Sequence, residues 1–244
     1  MPLNINPHHH PEHAIESGFI QVMLGAKAAR AYWAHPIGGT KAPGICLLHD
    51  WWGLTLAIRL LADQLAQAGY YVIAPDLYEG QLAHTPKDAL AMIERTREGR
   101  HLLVDGAITV IETHHLTTSK TAVIGVGMGG TLAYGAALER DDLEAAAAFS
   151  GFPHAYLGQF NRAHAPILAV YGEHEPFIKP IVLQALREEF AQDPRHRLVI
   201  IPQASHDLFA DQAGHPLSKQ AFSLLLAFLD DHIQQPKRRG QGIY

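Results

Sequence analysis

The sequence has little cysteine, no long apolar run and no pattern typical of a secretion signal. One cysteine among 244 residues excludes a disulfide within the chain and fits a reducing compartment. No apolar run approaches the ~20 residues that a membrane-spanning helix needs. The first residues lack the basic start and apolar stretch of a signal peptide. We therefore expect a cytoplasmic protein that does not associate with membranes.

An excess of positive charge is also missing. The chain has 19 basic and 24 acidic residues, which gives a formal net charge of −5. Nucleic acids and anionic membrane surfaces attract proteins with clustered positive charge. We therefore expect no nucleic-acid partner. The length fits a single α/β domain.

The N-terminal segment is polar and rich in histidine. It includes His8, His9, His10 and His13, and clustered imidazoles bind transition metals. A flexible tail with weak, adventitious metal affinity is the simpler interpretation, so we expect no built metal site. We divide the chain into a His-rich tail at 1–17, a domain at 18–233 and a C-terminal tail at 234–244.

Short apolar runs alternate with longer helical patterns along the domain. Two strands, Phe19–Leu24 and Ala28–Ala34, are predicted to form an antiparallel hairpin around Gly25-Ala26-Lys27. Six further strands are predicted at 44–48, 70–74, 121–125, 145–149, 167–171 and 198–201. This alternation predicts one mostly parallel sheet with helices on both faces, an α/β fold.

The helices are predicted from 3.6-residue periodicity and from their end signals. We expect them at 55–68, 86–115 with a break near Gly99, 131–139, 178–190 and 216–233. The inward-facing residues are predicted to be Leu56, Leu60, Leu61 and Leu65 in the first helix, and Leu217, Phe222, Leu225 and Leu229 in the last.

The stretch Thr121–Gly130 joins a buried strand to a helix through a glycine-dense turn. Gly125, Gly127 and Gly130 match the dinucleotide pattern G-x-G-x-x-G, which normally opens the first βαβ unit and has an acidic residue after the next strand. Here the glycines lie in mid-chain and that acidic residue is missing, so dinucleotide binding is the remote alternative. The nucleophile elbow, G-x-nucleophile-x-G, fits better. Its central residue is Gly127, which has no nucleophilic atom.

Candidate site residues follow other predicted strands at the edge where open α/β sheets bind ligands. Asp50, Trp51 and Trp52 follow the strand at 44–48, and we expect at least one of the indoles to line a pocket. Glu175 and His206 follow the strands at 167–171 and 198–201, in the chain order of an α/β-hydrolase acid and base. The alternative is a solvated glutamate and a surface histidine. The nearby hydroxyls, Ser150 and Ser205, lie outside the elbow.

Taken together, these motifs resemble the dienelactone hydrolase family from about Phe19 to Ile233. The resemblance rests on five features, which are His49-Asp50-Trp51-Trp52-Gly53, the stretch from Gly69-Tyr70 to Pro75-Asp76-Leu77-Tyr78, the elbow, Gly172-x-x-Glu175, and His206. It implies a single-domain α/β-hydrolase fold that acts on a small ester or lactone without cofactor or metal, as a monomer or homodimer.

The resemblance also implies a role for each matching position. A cysteine or serine nucleophile is expected at position 127, with Glu175 as the acid and His206 as the base. The backbone N–H groups of Met128 and Trp51 would form the oxyanion hole, and Asp50, Trp52, Tyr78 and Ser150 would line the substrate pocket. The family's best-known member also uses an arginine shortly after the histidine to hold a substrate carboxylate. Residues 207–212 contain no arginine, so dienelactone itself is not the expected substrate.

Gly127 leaves three interpretations open. The protein hydrolyses labile esters or lactones slowly, with a water activated by His206 in place of a side-chain nucleophile. Alternatively, it is a binding or regulatory protein that keeps the pocket without the chemistry. The third possibility is that a natural nucleophile has been replaced at position 127.

Overall fold

The computed structural model describes residues 12–24, 27–209 and 215–233. Eight strands form one sheet in the order β1-β2-β4-β3-β5-β6-β7-β8. The strands are β1 (Ile15–Leu24), β2 (Lys27–Pro36), β3 (Ala42–Leu48), β4 (Tyr71–Pro75), β5 (Thr117–Val126), β6 (Ala145–Phe149), β7 (Ile167–Gly172) and β8 (Arg197–Ile201). The β1–β2 and β2–β4 pairs are antiparallel, and every pair from β4 to β8 is parallel. The predicted α/β-hydrolase fold and its mostly parallel sheet are confirmed.

Helices cover both faces of this sheet. They are α1 (Leu56–Gln67), α2 (Pro86–Arg95), α3 (Arg100–Thr113), α4 (Met128–Glu139), α5 (Pro180–Phe190) and α6 (Pro216–His232), with a 3₁₀ turn at Phe160–Arg162. Gly99 separates α2 from α3 with a left-handed φ of 97°, so the predicted break is correct. None of the helices in the described ranges is long and apolar enough to cross a membrane.

Alternate residues of the central strands face two separate apolar layers. On one face Cys46 and Val123 pack with residues of α3, α4 and α5. On the other face Ile45 and Ile124 pack with residues of α1 and α6. Strands buried on both faces read as continuous apolar runs, which is why the sequence located them. The apolar layers hold the sheet rigid and fix the positions of the loops at its carboxyl edge.

Two predicted helix faces need correction. In α1, Leu61 and Leu65 are buried as predicted, but Leu56 and Leu60 are 59% and 39% exposed, and Ile58, Ala62 and Ala66 complete the buried face. Small alanines complete this face, so a count of leucines misplaces it. In α6, Leu225 and Leu229 are buried as predicted, whereas Leu217 and Phe222 are only partly buried and Phe228 takes an inner position.

The N-terminal boundary also differs from the prediction. Strand β1 begins at Ile15, three residues before the predicted start of the domain, and the N–H of His13 donates to the carbonyl of Gln67. The other histidines of the predicted tail, the turn residues Gly25 and Ala26, and the C-terminal segment 234–244 lie outside the described residues.

Candidate active site

The turn between β5 and α4 has the geometry of a nucleophile elbow. Gly127 has φ 53° and ψ −113°, a region that side chains disfavour, and it directly precedes Met128, the first residue of α4. A Cβ atom on Gly125 would lie 2.0 Å from the carbonyl oxygen of Gly129, and one on Gly129 would lie 2.2 Å from that of Leu48. The backbones of β3, β5 and α4 therefore contact one another directly. This is possible because Gly125 and Gly129 have no side chains.

The space beside Gly127 is bordered by two chemically active side chains. A Cβ atom on Gly127 would lie 3.3 Å from the Cβ of Asp50 and 4.0 Å from Nε2 of His206. Neither distance forbids a side chain, although the approach to Asp50 is tight. The elbow, Asp50 and His206 therefore converge as the sequence predicted.

His206 is held by a buried carboxylate. Its Nδ1 lies 2.7 Å from Oε2 of Glu175, whose side chain is 2% exposed while that of His206 is 15% exposed. The other oxygen of Glu175 accepts a hydrogen bond from the N–H of Phe177. Since Nδ1 donates to the carboxylate, Nε2 of the neutral ring carries a lone pair and faces Gly127. A surface histidine and a solvated glutamate, the alternative interpretation, do not describe this pair.

The loop after β3 is fixed by its own buried histidine. His49 is fully buried; its Nδ1–H donates to the carbonyl oxygen of Asp50 at 2.6 Å, and its Nε2 accepts from the N–H of Leu77 at 3.1 Å. Burial lowers the pKa of His49, so the ring stays neutral and keeps both hydrogen bonds. Asp50 in turn accepts a hydrogen bond from the N–H of Trp52 through Oδ1 at 2.8 Å.

These elements open onto a cavity of about 570 Å³. Its wall is mainly apolar, with Trp51, Leu90, Ile93, Val126, Met128, Leu132, Phe152 and Phe177 contributing. Gly127 and the polar residues Asp50, Arg100, Thr131, His206 and Asp207 complete it. An apolar cavity with a few convergent polar groups is typical of a small-molecule site.

Three predicted pocket residues do not line this cavity. Trp52 packs edge-on against the ring of Trp51, which takes the wall position. Tyr78 is buried, and its hydroxyl donates to the sulfur of Met128. Ser150 is buried behind the site and donates to the carbonyl oxygen of His206 at 2.6 Å. All three residues contact wall residues from outside the cavity. Their side-chain directions could not be predicted, because the alternation of a strand does not continue past its end.

The sequence prediction missed three polar wall residues, which are Arg100, Thr131 and Asp207. Arg100 is the first residue of α3 and its Nη1 donates to the sulfur of Met128 at 3.1 Å. Thr131 is one turn into α4, and its hydroxyl donates to the Gly127 carbonyl while it accepts from the N–H of Phe152. Thr131 is thus a third hydroxyl near the elbow, beyond Ser150 and Ser205. Arg100 follows a helix break and carried no motif, so nothing in the sequence linked it to the elbow.

Burial changes the pKa values of two charged groups at this site, Asp50 and Arg100. Burial and, to a smaller extent, the nearby Asp207 raise the pKa of Asp50 to about 6, against the opposing effects of His206 and of the hydrogen bond from the N–H of Trp52. Arg100 is half-buried, and desolvation lowers its pKa. No carboxylate of the described residues forms an ion pair with it. The described residues contain no cluster of three or more metal-ligating side chains.

Comparison with known proteins identifies the family. The sequence profile of the dienelactone hydrolase family matches residues 29–231. Protein usf of Aquifex pyrophilus is 32% identical over 61% of this chain and 68% of its own length. A relative from Aquifex aeolicus, provisionally named a carboxymethylenebutenolidase, is 33% identical over 56% of this chain and 63% of its own length, so this chain spans less than two thirds of it.

Solved structures agree with the fold. A protein of Klebsiella pneumoniae, provisionally described as a dienelactone hydrolase, superposes with a TM-score of 0.77 at 21% identity. The superposition covers 91% of this chain and all of that one, so it supports the architecture rather than a particular activity. The family profile spans the elbow, the cavity and both members of the His206–Glu175 pair. The chain belongs to the dienelactone hydrolase family.

Proposed function

We propose that the chain is a carboxylic ester or lactone hydrolase that attacks its substrate with an activated water molecule. The observation that carries this proposal is the position of Nε2 of His206, 4.0 Å from where a Cβ of residue 127 would lie, with Glu175 behind the ring. Base and orienting carboxylate are in place, and the residue at the elbow has no side chain. A water in that space is within reach of the base.

The proposed step is general-base hydrolysis. A water beside Gly127 attacks the carbonyl carbon of the ester while Nε2 of His206 takes one of its protons. Glu175 keeps the ring oriented and stabilises the imidazolium that forms. The imidazolium then returns the proton to the departing alkoxide, and acid and alcohol are released. No covalent intermediate with the protein forms.

The developing oxyanion needs hydrogen-bond donors, and two backbone N–H groups are available. Met128 is the first residue of α4, where the helix dipole favours negative charge. Within the described ranges, neither its N–H nor that of Trp51 has a protein acceptor, and both residues line the cavity. We assign these two groups to the oxyanion hole, because preorganised donors contribute even without a side-chain nucleophile.

Arg100 indicates the class of substrate. Arg100 is the only arginine or lysine among the described wall residues, and its guanidinium donates a hydrogen bond to the neutral sulfur of Met128. A carboxylate on the substrate would provide the missing partner at a site next to the elbow. We therefore propose a small ester or lactone with an apolar body and an anionic group.

Turnover of an activated aryl ester tests this proposal. We expect slow, steady release of the leaving group without a burst, and at least a tenfold loss in His206→Ala. His115→Ala, a change of an exposed histidine outside the cavity wall, is the matched control and should keep the parent rate. Binding of a substrate analogue with no turnover by the parent would instead support the non-catalytic alternative.

A further inference from the structure

Asp50 and His206 provide the two side chains nearest to the elbow position. The Cβ of Asp50 lies 3.3 Å and Nε2 of His206 lies 4.0 Å from a Cβ placed on Gly127. A small molecule in the place of a side chain at residue 127 therefore lies next to the Cβ of Asp50 and to Nε2 of His206. His206 has its role in the proposed hydrolysis. The role of Asp50 requires a separate argument.

One carboxylate oxygen of Asp50 accepts a hydrogen bond from the described residues and the other accepts none. Oδ1 accepts the N–H of Trp52 and so fixes the orientation of the carboxylate. Oδ2 has no hydrogen-bond partner among the described residues, although Asp50 lines the cavity. A carboxylate oxygen accepts hydrogen bonds and, when ionised, gives none. Oδ2 is thus the uncommitted acceptor of a side chain whose Cβ borders the space at Gly127.

The groups around Asp50 favour the binding of a neutral molecule that donates hydrogen bonds. His206 faces the same space, and the exposed Asp207 adds negative charge nearby. Two carboxylates repel an anion from this end of the cavity, whereas Arg100 offers the cation elsewhere on the wall. Water fits this environment, because it donates two hydrogen bonds and carries no charge.

We propose that Asp50 is a second catalytic residue, whose Oδ2 accepts one hydrogen of the attacking water while His206 removes the other. This inference rests on the hydrolysis proposed above. With both hydrogens held, an oxygen lone pair of the water points away from the two side chains and toward the cavity, where the carbonyl carbon is placed. Gly127 is part of this arrangement, because a side chain there would displace the water.

The step balances without any further reagent. The water oxygen forms a bond to the carbonyl carbon, and the carbonyl π pair moves to its oxygen, facing the N–H groups of Met128 and Trp51. One proton passes to Nε2 of His206, and the second stays on the new hydroxyl, still hydrogen-bonded to Asp50. The oxyanion pair then re-forms the carbonyl as the ester C–O bond breaks, and the departing alkoxide takes the proton from His206, which leaves a carboxylic acid and an alcohol.

Two substitutions test the role of Asp50 directly. Asp50→Asn keeps an oxygen for the N–H of Trp52 but loses the charge, and we expect kcat to fall roughly 10- to 100-fold with KM nearly unchanged. Gly127→Ala places a methyl group where the water is held, and we expect a loss of at least tenfold. Asp141→Asn, a change of an exposed carboxylate, is the control and should keep the parent kcat.

The possible outcomes separate the two proposals. Turnover that depends on His206 but is unchanged in Asp50→Asn overturns the role of Asp50 and leaves the hydrolase proposal standing. A kcat loss that only matches a loss of folded protein in thermal unfolding shows a structural role and also overturns it. Full activity in Gly127→Ala places the water elsewhere and contradicts the inference. A parent without any turnover overturns both proposals.

Discussion

Nδ1 of His206 lies 2.7 Å from Oε2 of Glu175, and this carboxylate is buried behind the ring. The hydrogen bond sets the tautomer, so the lone pair of Nε2 faces Gly127. A carboxylate and a histidine are therefore held in a fixed orientation at an elbow whose residue has no side chain.

Glu175→Gln should lower kcat by about 100-fold or more. The amide preserves the size of the side chain but does not stabilise the imidazolium that forms on His206. Steady-state hydrolysis of an activated ester measures the effect. Glu188→Gln on α5 is the control, since Glu188 is exposed and accepts a hydrogen bond from the side chain of Gln184 on the same helix. Equal rates for Glu175→Gln and the parent would remove Glu175 from the mechanism.

His49→Leu should reduce both stability and activity. It leaves the Leu77 N–H and the Asp50 carbonyl without their buried partner, at a cost of about 2–4 kcal/mol in the free energy of unfolding. The loop that carries Trp51 should shift, so kcat should fall as well. Urea unfolding and ester hydrolysis measure the two effects.

His196→Leu is the matched control for that change. His196 is also buried; its Nδ1 accepts from the N–H of Ile167, and Nε2 lies 3.4 Å from the carbonyl oxygen of Phe160. It lies just before the first residue of β8, at the amino ends of the parallel strands, whereas the cavity lies at their carboxyl ends. We expect a similar loss of stability with a normal kcat per folded molecule. Equal effects of both substitutions on kcat would show that His49 has no positional role.

Arg100→Gln should raise KM selectively for esters that carry a carboxylate. Loss of one charge-assisted contact corresponds to roughly a 10-fold increase or more, and neutral esters of the same size should keep their KM. Arg97→Gln is the control, because Arg97 is 72% exposed in its side chain and pairs with Glu94 on the surface. An equal change for charged and neutral esters would contradict an anion site at Arg100.

Much of this site followed from the sequence because its parts are local patterns. Each part of the site follows an apolar run in the sequence, namely the glycines of the elbow, the doublet Trp51-Trp52, Glu175 and His206. Parallel strands bring their carboxyl ends to one edge, so the convergence of these groups was predictable. The position of Gly127 near these groups was predictable for the same reason, because the elbow follows a parallel strand.

Other features depend on packing that no local pattern encodes. Arg100 reaches the cavity only because α3 begins beside Met128, and that contact spans 28 residues of sequence. Tyr78 and Ser150 follow strands as predicted, but their side chains turn to hydrogen-bond Met128 and the His206 loop. The buried face of α1 uses alanines, which a search for large apolar residues overlooks.

Asp50→Asn should stabilise the folded protein above about pH 6. The folded carboxyl keeps its proton up to about pH 6, whereas in the unfolded chain it loses the proton near pH 4. The parent therefore loses stability as pH rises from about 4 to 6, and the variant avoids this cost of about 1–3 kcal/mol. Urea unfolding at pH 8 and pH 4 should show the gain only at the higher pH. An equal effect at both values would contradict the raised pKa.

Residue 127 stands at the centre of the elbow beside His206 but has no side chain, and burst kinetics of Gly127→Cys test this arrangement most directly. A thiol there would lie beside His206 at the N-terminus of α4, and both features favour the thiolate. The positive φ of 53° makes the variant less stable by about 1–3 kcal/mol. With an activated ester we predict a burst of one leaving group per site, absent in the parent and lost again when His206→Ala is added. A folded Gly127→Cys protein that shows neither a burst nor a gain in activity would contradict the account.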